Sequence, residues 1–147
     1  MIEIRPLADE DFQSWLPLWK GYQTFYKVEI AEAVTRQTWQ RLNDPDEPMG
    51  GALALVGGLA AGLVHFIMHR SCWTTGDYCY PQDLFVDPAF RKQGLGIKLI
   101  EHVFEVAERA ACSRVYWLTQ SSNATAMELY DKLAQRTDFV QYRKLLP

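Results

Sequence analysis

Six residues in the second half of the chain, RKQGLG at 91–96, place two cations and two glycines directly after the strand-like run FVDPAF. A helix that begins near Gly94 leaves several main-chain N–H groups without intrahelical partners, and its dipole favours an anion there. Gly94 and Gly96 lack a Cβ atom, so a phosphate group can approach the main chain closely. Arg91 and Lys92 add positive charge. The junction predicts a phosphate site, and a tight turn with solvated cations is the alternative that these six residues leave open.

Two well-known phosphate loops do not fit this spacing. The dinucleotide-binding fingerprint needs a third small residue where Leu99 stands, and a Walker loop needs Gly-Lys-Ser/Thr, which the chain lacks. What remains is Arg-x-x-Gly-x-Gly after a strand.

The elements around this loop are predicted from hydrophobic periodicity. A strand over 78–86 precedes the loop, and a helix over 94–111 with one apolar stripe follows it. We then expect a strand over 114–119, a helix with a serine cap over 121–134, and a last strand over 138–145. The strand–helix–strand part of this series can close as a right-handed parallel crossover.

The first half begins with a predicted strand over 2–7 and a helix that Pro17 and Gly21 should kink or divide. Residues 22–34 show no clear period and are predicted as a loop, after which Thr35 can cap a second helix.

Two apolar runs, 52–56 and 59–69, are separated by Gly57 and Gly58, which is a hairpin signal. Gly62 inside the second run suggests a bulge. An antiparallel hairpin joined to a parallel crossover predicts a mixed sheet flanked by helices.

The segment LFVDPAFRKQGLGIKLIEHVFEVAERAACSRVYWLT, followed by NATAMELYDK, resembles the GNAT superfamily of N-acetyltransferases. That family has the acyl-coenzyme A signature Gln/Arg-x-x-Gly-x-Gly/Ala between a strand and a helix, and a tyrosine-bearing helix further on. Residues 78–133 carry the match. The resemblance implies a single acetyltransferase domain over 1–147 with an α/β (α+β) fold. Its central sheet would be mixed and mostly antiparallel, with a parallel splayed strand pair, and about four helices would flank it.

The resemblance also implies acetyl-CoA as cosubstrate. The amides of 91–96 would hold its pyrophosphate, and the exposed main chain before the loop would pair with the pantetheine arm. Asn123 would contact the cofactor or cap its helix, and both roles remain open. The implied cofactor-binding residues are Leu84, Phe85, Val86, Arg91, Lys92, Gln93, Gly94, Leu95, Gly96 and Asn123.

Amine acetylation needs an acid for the departing thiolate. Tyr130 stands in LYDK, where the family commonly places the tyrosine that protonates this thiolate. A phenol has a reference pKa of about 10, so it is a competent proton donor at neutral pH. A core tyrosine on an amphipathic helix is the alternative.

The acceptor amine has a reference pKa of about 10.4, so its proton must be removed before attack. Some relatives carry a glutamate where this chain has Gln82, which cannot accept a proton. Asp83 is the candidate base or amine anchor, although strand alternation points it to the opposite face unless the strand bulges. Removal of the proton through water is also open.

The acceptor itself is expected to lie against the aromatic segment GYQTFYKVEIAE. Aromatic faces and carboxylates suit an ammonium group. The predicted acceptor-binding residues are Tyr22, Tyr26 and Gln82. The pattern is similar to that of the spermidine/spermine and polyamine/histone branches, which implies a polyamine, an amino acid or a peptide amine as acceptor.

Composition narrows the class of protein. The chain has 147 residues, of which 48% are hydrophobic, and a formal net charge of -3. It therefore has no overall positive charge that would attract nucleic acid or an anionic membrane surface. Cys72, Cys79 and Cys112 are odd in number and irregularly spaced, which favours a reducing cytoplasm. His65 and His69 match no established zinc spacing, so no metal is expected.

The predicted function is therefore N-acetyl transfer from acetyl-CoA by direct attack of the amine, in a cytoplasmic enzyme that the resemblance implies to be a homodimer. A non-catalytic acyl-CoA-binding regulatory module is the alternative, which Gln82 in place of an acid favours. Use of longer acyl chains is also open.

Overall fold

Five strands, four α-helices and two 3₁₀ turns are present in the computed structural model, which describes residues 1–147. The 3₁₀ turns are Asp9–Asp11 and Pro88–Phe90. In chain order the other elements are β1 Ile2–Pro6, α1 Phe12–Tyr26, α2 Glu32–Leu42, β2 Met49–Val56, β3 Leu59–His69, β4 Tyr78–Val86, α3 Leu95–Arg109, β5 Arg114–Val115 and α4 Ala124–Leu133.

The strands form one sheet in the order β1-β2-β3-β4-β5. The first four are antiparallel neighbours, and β5 alone is parallel to β4. A mixed, mostly antiparallel sheet with one parallel strand pair and four helices confirms the predicted fold class.

The β2–β3 hairpin has the turn that its sequence predicts. Gly57 and Gly58 have φ angles of 57° and 81°, as a two-residue turn between twisted strands requires. Ala54 pairs with Gly62 and Leu55 with Ala60, so Ala61 is the extra residue of a bulge beside Gly62.

Two hydrophobic clusters cover the two faces of the sheet. On the α3 face, Leu95, Leu99 and Val103 pack with small strand residues such as Ala52 and Ala54. The other cluster joins α1 and α2 to the sheet, and its buried members are Trp15, Leu18, Trp19, Leu42, Leu53, Leu63 and Phe85. Burial of these side chains, at roughly 25 cal/mol per Å² of apolar area, is the main force that holds the helices to the sheet.

Helix α1 differs from its prediction. It is one continuous helix through Pro17 and Gly21, and it extends to Tyr26, where Lys27 ends it with a φ of 56°. The buried aromatic face, with Trp15 fully inaccessible, outweighs the hydrogen bond that Pro17 removes. The loop predicted over 22–34 is therefore wrong for its first five residues.

Helix α2 also begins earlier than predicted, because its N-cap is Ala31 and its first residue is Glu32. Thr35 is buried in the first turn and donates its main-chain N–H to Ala31 O at 3.0 Å. The cap prediction for Thr35 is wrong because burial of the threonine, rather than its hydroxyl group, positions it.

Residues 118–147 form a compact unit separate from residues 1–117. Helix α4 is present as predicted, but its N-cap is Asn123 and not a serine. Strand β5 stops at Val115 instead of residue 119, and the strand predicted over 138–145 is absent. Residues 138–145 have the alternating side chains of a strand, but no neighbouring strand of the chain pairs with them. A strand is stable only when its main chain forms hydrogen bonds with a partner strand.

No helix of the chain combines the length and the apolar character needed to cross a membrane.

Candidate functional site

The loop between β4 and α3 has the main-chain geometry of an anion site. Lys92 and Gly94 both have positive φ angles, of 66° and 77°. The first main-chain hydrogen bond of α3 runs from Lys98 N to Gly94 O at 3.1 Å, and the N–H groups of residues 92–97 form no main-chain hydrogen bond. Arg91 N, the first of the predicted amides at 91–96, instead donates to Pro88 O at 3.5 Å. A non-glycine residue in the left-handed region is uncommon and concentrates at functional sites. Free amides at a helix N-terminus suit a pyrophosphate.

The side chains of this loop are divided between solvent and core. Arg91, Lys92 and Gln93 are exposed, whereas Leu95 is buried and anchors α3. Arg91 donates its Nε–H to Val86 O at 3.2 Å and places its guanidinium 5.8 Å from the centre of the Phe25 ring. The cation is therefore held between the end of β4 and the last turns of α1.

Strand β4 presents an edge beside this loop. Leu84, Phe85 and Val86 pair with β3 on one side, opposite Val64, Leu63 and Gly62. On the other side the β5 ladder comprises only Tyr78 and Cys79, so the main chain of residues 80–86 has no β5 partner. This agrees with the splayed parallel pair that the family resemblance implies, and an extended chain could add to the edge as a strand does.

A bulge in β4 decides where Asp83 points. His65 pairs with Asp83 and Phe66 with Pro81, which leaves Gln82 as an extra residue. Alternation counted forward from Tyr80 would place Gln82, and not Asp83, on the face of Tyr80, but the bulge puts Asp83 in that place, opposite His65. Gln82 is exposed, whereas Asp83 is 8% exposed.

Asp83 is the acceptor of a buried hydrogen-bond relay. Trp15 Nε1 donates to His65 Nε2 at 2.9 Å, and His65 Nδ1 lies 3.0 Å from Asp83 Oδ2. An indole nitrogen is only a donor, so Nε2 is the accepting nitrogen of the imidazole. In the neutral ring the proton is then on Nδ1, which donates to the carboxylate.

Three tyrosines lie close enough to Asp83 for its charge to raise their pKa values. Burial raises the pKa of Tyr22, and the negative charge of the nearby Asp83 raises it further. Burial followed by the same charge raises the pKa of Tyr26. For Tyr80 the causes that raise the pKa are burial, then Tyr116, then Asp83. All three phenols stay protonated at neutral pH, so they present hydroxyl donors and aromatic faces around one anion.

The structure thus brings Tyr22, Tyr26 and Asp83 together, and it leaves Gln82 in solvent. Sequence reasoning missed Tyr80, His65 and Trp15 as parts of the site. The sequence alone presents His65 as no more than a possible metal ligand, because its place opposite Asp83 depends on a strand register that no local pattern shows. Tyr80 was missed because residues three apart in a regular strand point to opposite faces, and only the bulge at Gln82 brings Tyr80 and Asp83 to one face.

Two predicted residues lie in the 118–147 unit. Asn123 caps α4, because its Oδ1 accepts from Ala126 N at 3.3 Å. The capping role is therefore present, and a cofactor contact stays a prediction. Tyr130 stands in the last turns of α4, where its carbonyl accepts from Ala134 N at 2.9 Å.

The Cys79 thiol is held protonated, and the potential metal ligands do not cluster. Burial raises the pKa of the Cys79 thiol to about 12, and the nearby Cys112 adds to the shift. Such a thiol is a poor nucleophile at neutral pH. No group of three or more histidine, cysteine, aspartate or glutamate side chains is arranged to hold a metal ion.

The family model described as the acetyltransferase (GNAT) family matches residues 5–134. Among similar proteins, the D-amino-acid N-acetyltransferase HPA3 of Saccharomyces cerevisiae is 36% identical over 145 residues, which is 97% of this chain and 90% of that protein. The thialysine N-epsilon-acetyltransferase of Sus scrofa is 37% identical over 116 residues, which is 79% of this chain and 59% of that protein.

A similar solved structure is AAC(6')-Iy in complex with the bisubstrate analog CoA-S-monomethyl-acetylneamine. It has a TM-score of 0.84 and 17% identity, and the likeness covers 99% of each chain. At this identity the likeness concerns the fold.

Proposed function

This chain belongs to the acetyltransferase (GNAT) family, and from that premise we propose that it acetylates the primary amine of a small molecule of the amino acid type, with Asp83 as the group that receives the amine. The reaction class is acetyl-CoA-dependent N-acetyl transfer, which the family and its named relatives share. The single observation that carries the assignment of Asp83 is its burial as an anion among three protonated tyrosines, beside the free edge of β4.

The residues present fit acetyl-CoA. The free amides of residues 92–97 and the positive φ of Gly94 suit its pyrophosphate, and the unpaired edge of residues 80–86 suits its pantetheine amides. When bound, acetyl-CoA supplies the activated acetyl group. Arg91 and Lys92 contribute charge to the same end of α3.

Asp83 acts first on the acceptor. An ammonium group approaching a poorly solvated carboxylate gains more from the attraction than it would in water. The aromatic faces of Tyr22 and Tyr26 add cation–π attraction around it. Asp83 then accepts the proton, directly or through one water, and the neutral amine can attack the acetyl carbonyl.

Tyr130 is proposed as the acid that returns a proton to the departing thiolate, and residues 1–147 as a single acetyltransferase domain. The family match supports this, because it extends from residue 5 to residue 134 and so includes both the loop at 91–96 and α4. Transfer is direct in this scheme. The raised pKa of Cys79, about 12, argues against an acyl-cysteine.

The acceptor class is inferred from the relatives. One is described as acting on D-amino acids and another on the ε-amine of thialysine, and both of these acceptors carry an amine on an amino acid skeleton. A single buried anion suits one ammonium group, which favours a short amino acid over a long polyamine with several charges.

We also propose a cytoplasmic homodimer. Cys72, Cys79 and Cys112 are all free thiols, which suits a reducing compartment. The C-terminal residues after α4 expose large apolar side chains that a second copy of the chain would cover, namely Phe139, Val140, Tyr142, Leu145 and Leu146. Sedimentation analysis tests this: Phe139→Asp combined with Val140→Asp should convert a dimer into a monomer, whereas a wild-type monomer at 50 μM would exclude it.

The experiment that tests the function measures acetyl-CoA-dependent thiol release by the purified full chain. The panel holds D- and L-amino acids, thialysine, lysine, polyamines, aminoglycosides and short peptides. Release with amino acids that falls by roughly 10²-fold or more in Asp83→Asn supports the proposal. Release with polyamines or peptides alone would overturn the acceptor class. Full activity of Asp83→Asn would overturn the role of Asp83.

A further inference from the structure

We infer that His65, oriented by the indole of Trp15, is a positioning residue that holds the Asp83 carboxylate in place to receive the acceptor amine. This inference rests on the proposed role of Asp83. It concerns two residues, one on β3 and one on α1, that the sequence alone presents as a possible metal ligand and a core side chain.

The direction of the hydrogen bonds carries the inference. Trp15 can only donate, and it donates to His65 Nε2 at 2.9 Å. That contact would be lost if Nε2 took up a proton, so the neutral ring presents its Nδ1–H to Asp83 Oδ2 at 3.0 Å. The indole therefore selects the tautomer that can donate to the carboxylate.

Burial strengthens the preference of His65 for this tautomer. Trp15 is fully inaccessible, His65 is 2% exposed, and Asp83 is 8% exposed. Water has little access to replace a lost partner, and a buried polar group without a hydrogen bond costs about 1–3 kcal/mol. Trp19 packs on the imidazole with ring centres 5.0 Å apart, which fixes the plane of the ring.

The geometry also leaves part of the carboxylate for other partners. His65 contacts Oδ2, and the titratable groups around Asp83 are His65 on β3, Tyr22 and Tyr26 on α1 and Tyr80 on β4. All three phenols are neutral and none competes as a cation. An incoming ammonium group would therefore be the first positive charge to reach Asp83, which His65 has already fixed in one rotamer.

Two substitutions separate the hydrogen bond from packing. His65→Leu keeps an apolar side chain of similar bulk and removes the donor. His65→Asn keeps an N–H group near the position of Nδ1. We expect His65→Leu to lower kcat/KM for the acceptor by about 10- to 100-fold, as for loss of a hydrogen bond to a charged group, while KM for acetyl-CoA stays unchanged. His65→Asn should recover most of the loss.

Val103→Ala is the matched control, because Val103 is equally buried but belongs to the cluster on the α3 face. It reports the effect of destabilisation alone. A loss in His65→Leu no larger than in Val103→Ala, or no recovery in His65→Asn, would overturn the inference.

A double substitution distinguishes this inference from the proposed function. If His65 acts through Asp83, His65→Leu should cause no further loss of activity in the Asp83→Asn background. Equal losses in both backgrounds would overturn the positioning role and leave Asp83 in place. Full activity of Asp83→Asn would overturn both the positioning role of His65 and the proposed role of Asp83.

A direct readout of the tautomer does not depend on activity. Long-range ¹H–¹⁵N spectra of the full chain should show His65 with a protonated Nδ1 and an unprotonated Nε2. Trp15→Phe should weaken that preference without abolishing it, because the Asp83 carboxylate still accepts from Nδ1–H. This measurement tests the inference even if His65→Leu does not fold, because it uses the wild-type chain. A protonated Nε2 in that chain would overturn the inference.

Discussion

Gly21 of α1 and Phe85 of β4 are in such close contact that an ideal Cβ on Gly21 would stand 2.8 Å from the Phe85 ring. The glycine lies in the middle of a helix, where it is less favourable than alanine by about 1 kcal/mol. Its role is to let α1 approach the part of the sheet that borders the free edge of β4.

Gly21→Ala should therefore destabilise the protein by about 1–3 kcal/mol in spite of the better helix propensity, because the added methyl group would clash with the buried Phe85 ring. Urea unfolding measures the difference. Phe85→Leu makes room for the methyl group, so the double variant should be more stable than the sum of the two single effects predicts. A more stable Gly21→Ala would show that α1 can shift at no cost.

Tyr130→Phe should lower kcat by roughly 10²–10⁴ through loss of the proton donor. Stabilisation of the fold by acetyl-CoA, measured by thermal denaturation, should be unchanged. Tyr142→Phe is the control, because Tyr142 is 95% exposed in the same unit. Equal rates for the two variants would remove Tyr130 from the mechanism.

Gly94→Ala and Gly57→Ala form a matched pair. Both glycines have positive φ angles, of 77° and 57°, and at neither would a Cβ meet another atom within 4 Å. Each substitution should cost a similar ~1–2 kcal/mol of stability from the left-handed backbone. Only Gly94→Ala should raise KM for acetyl-CoA, by about tenfold or more, since only Gly94 borders the free amides. Parallel changes in KM would argue against the anion site.

Asp11→Asn should weaken the protein in a pH-dependent way. Arg5 donates two hydrogen bonds to the Asp11 carboxylate, at 2.7 and 2.8 Å, and these lower the pKa of Asp11 below its ordinary value. A depressed pKa contributes stability above the ordinary value near 3.9 that is lost as the pH falls through the lower folded value. The difference from wild type should be about 1–3 kcal/mol above about pH 5 and should shrink below about pH 4.

Urea unfolding between pH 3 and pH 7 measures this effect. The exposed Asp9, two residues earlier, provides the control Asp9→Asn, whose effect should stay within about 0.5 kcal/mol. A difference for Asp11→Asn that is constant over this range would mean that the ion pair contributes no pH-dependent stability.

Local patterns predicted most elements of this fold. The glycine pair of the hairpin, the strand before the loop at 91–96 and the apolar stripe of α3 each depend on near neighbours in sequence, and all are present. The same is true of the loop itself, whose glycines adopt the predicted positions at the start of α3.

The errors come from long-range contacts. Pro17 and Gly21 read as helix breakers, but packing against Phe85 and the buried aromatic face keeps α1 intact to Tyr26. The predicted final strand had the right alternation of side chains and no ladder partner within the chain. The relay from Trp15 to Asp83 joins residues far apart in sequence, so only the register of β3 and β4 could reveal it.

At the bulge, β4 has one residue more than β3, because Gln82 stands between Pro81 and Asp83 and has no partner of its own. Counting forward from Tyr80 leads to residue 82, where some family members carry a glutamate, and counting back from Phe85 leads to residue 83, where this chain carries its carboxylate. A carboxylate at position 83 can therefore occupy the place in space that an unbulged strand would give to position 82. Under the role proposed for Asp83, the glutamine at position 82 does not leave the site without a base.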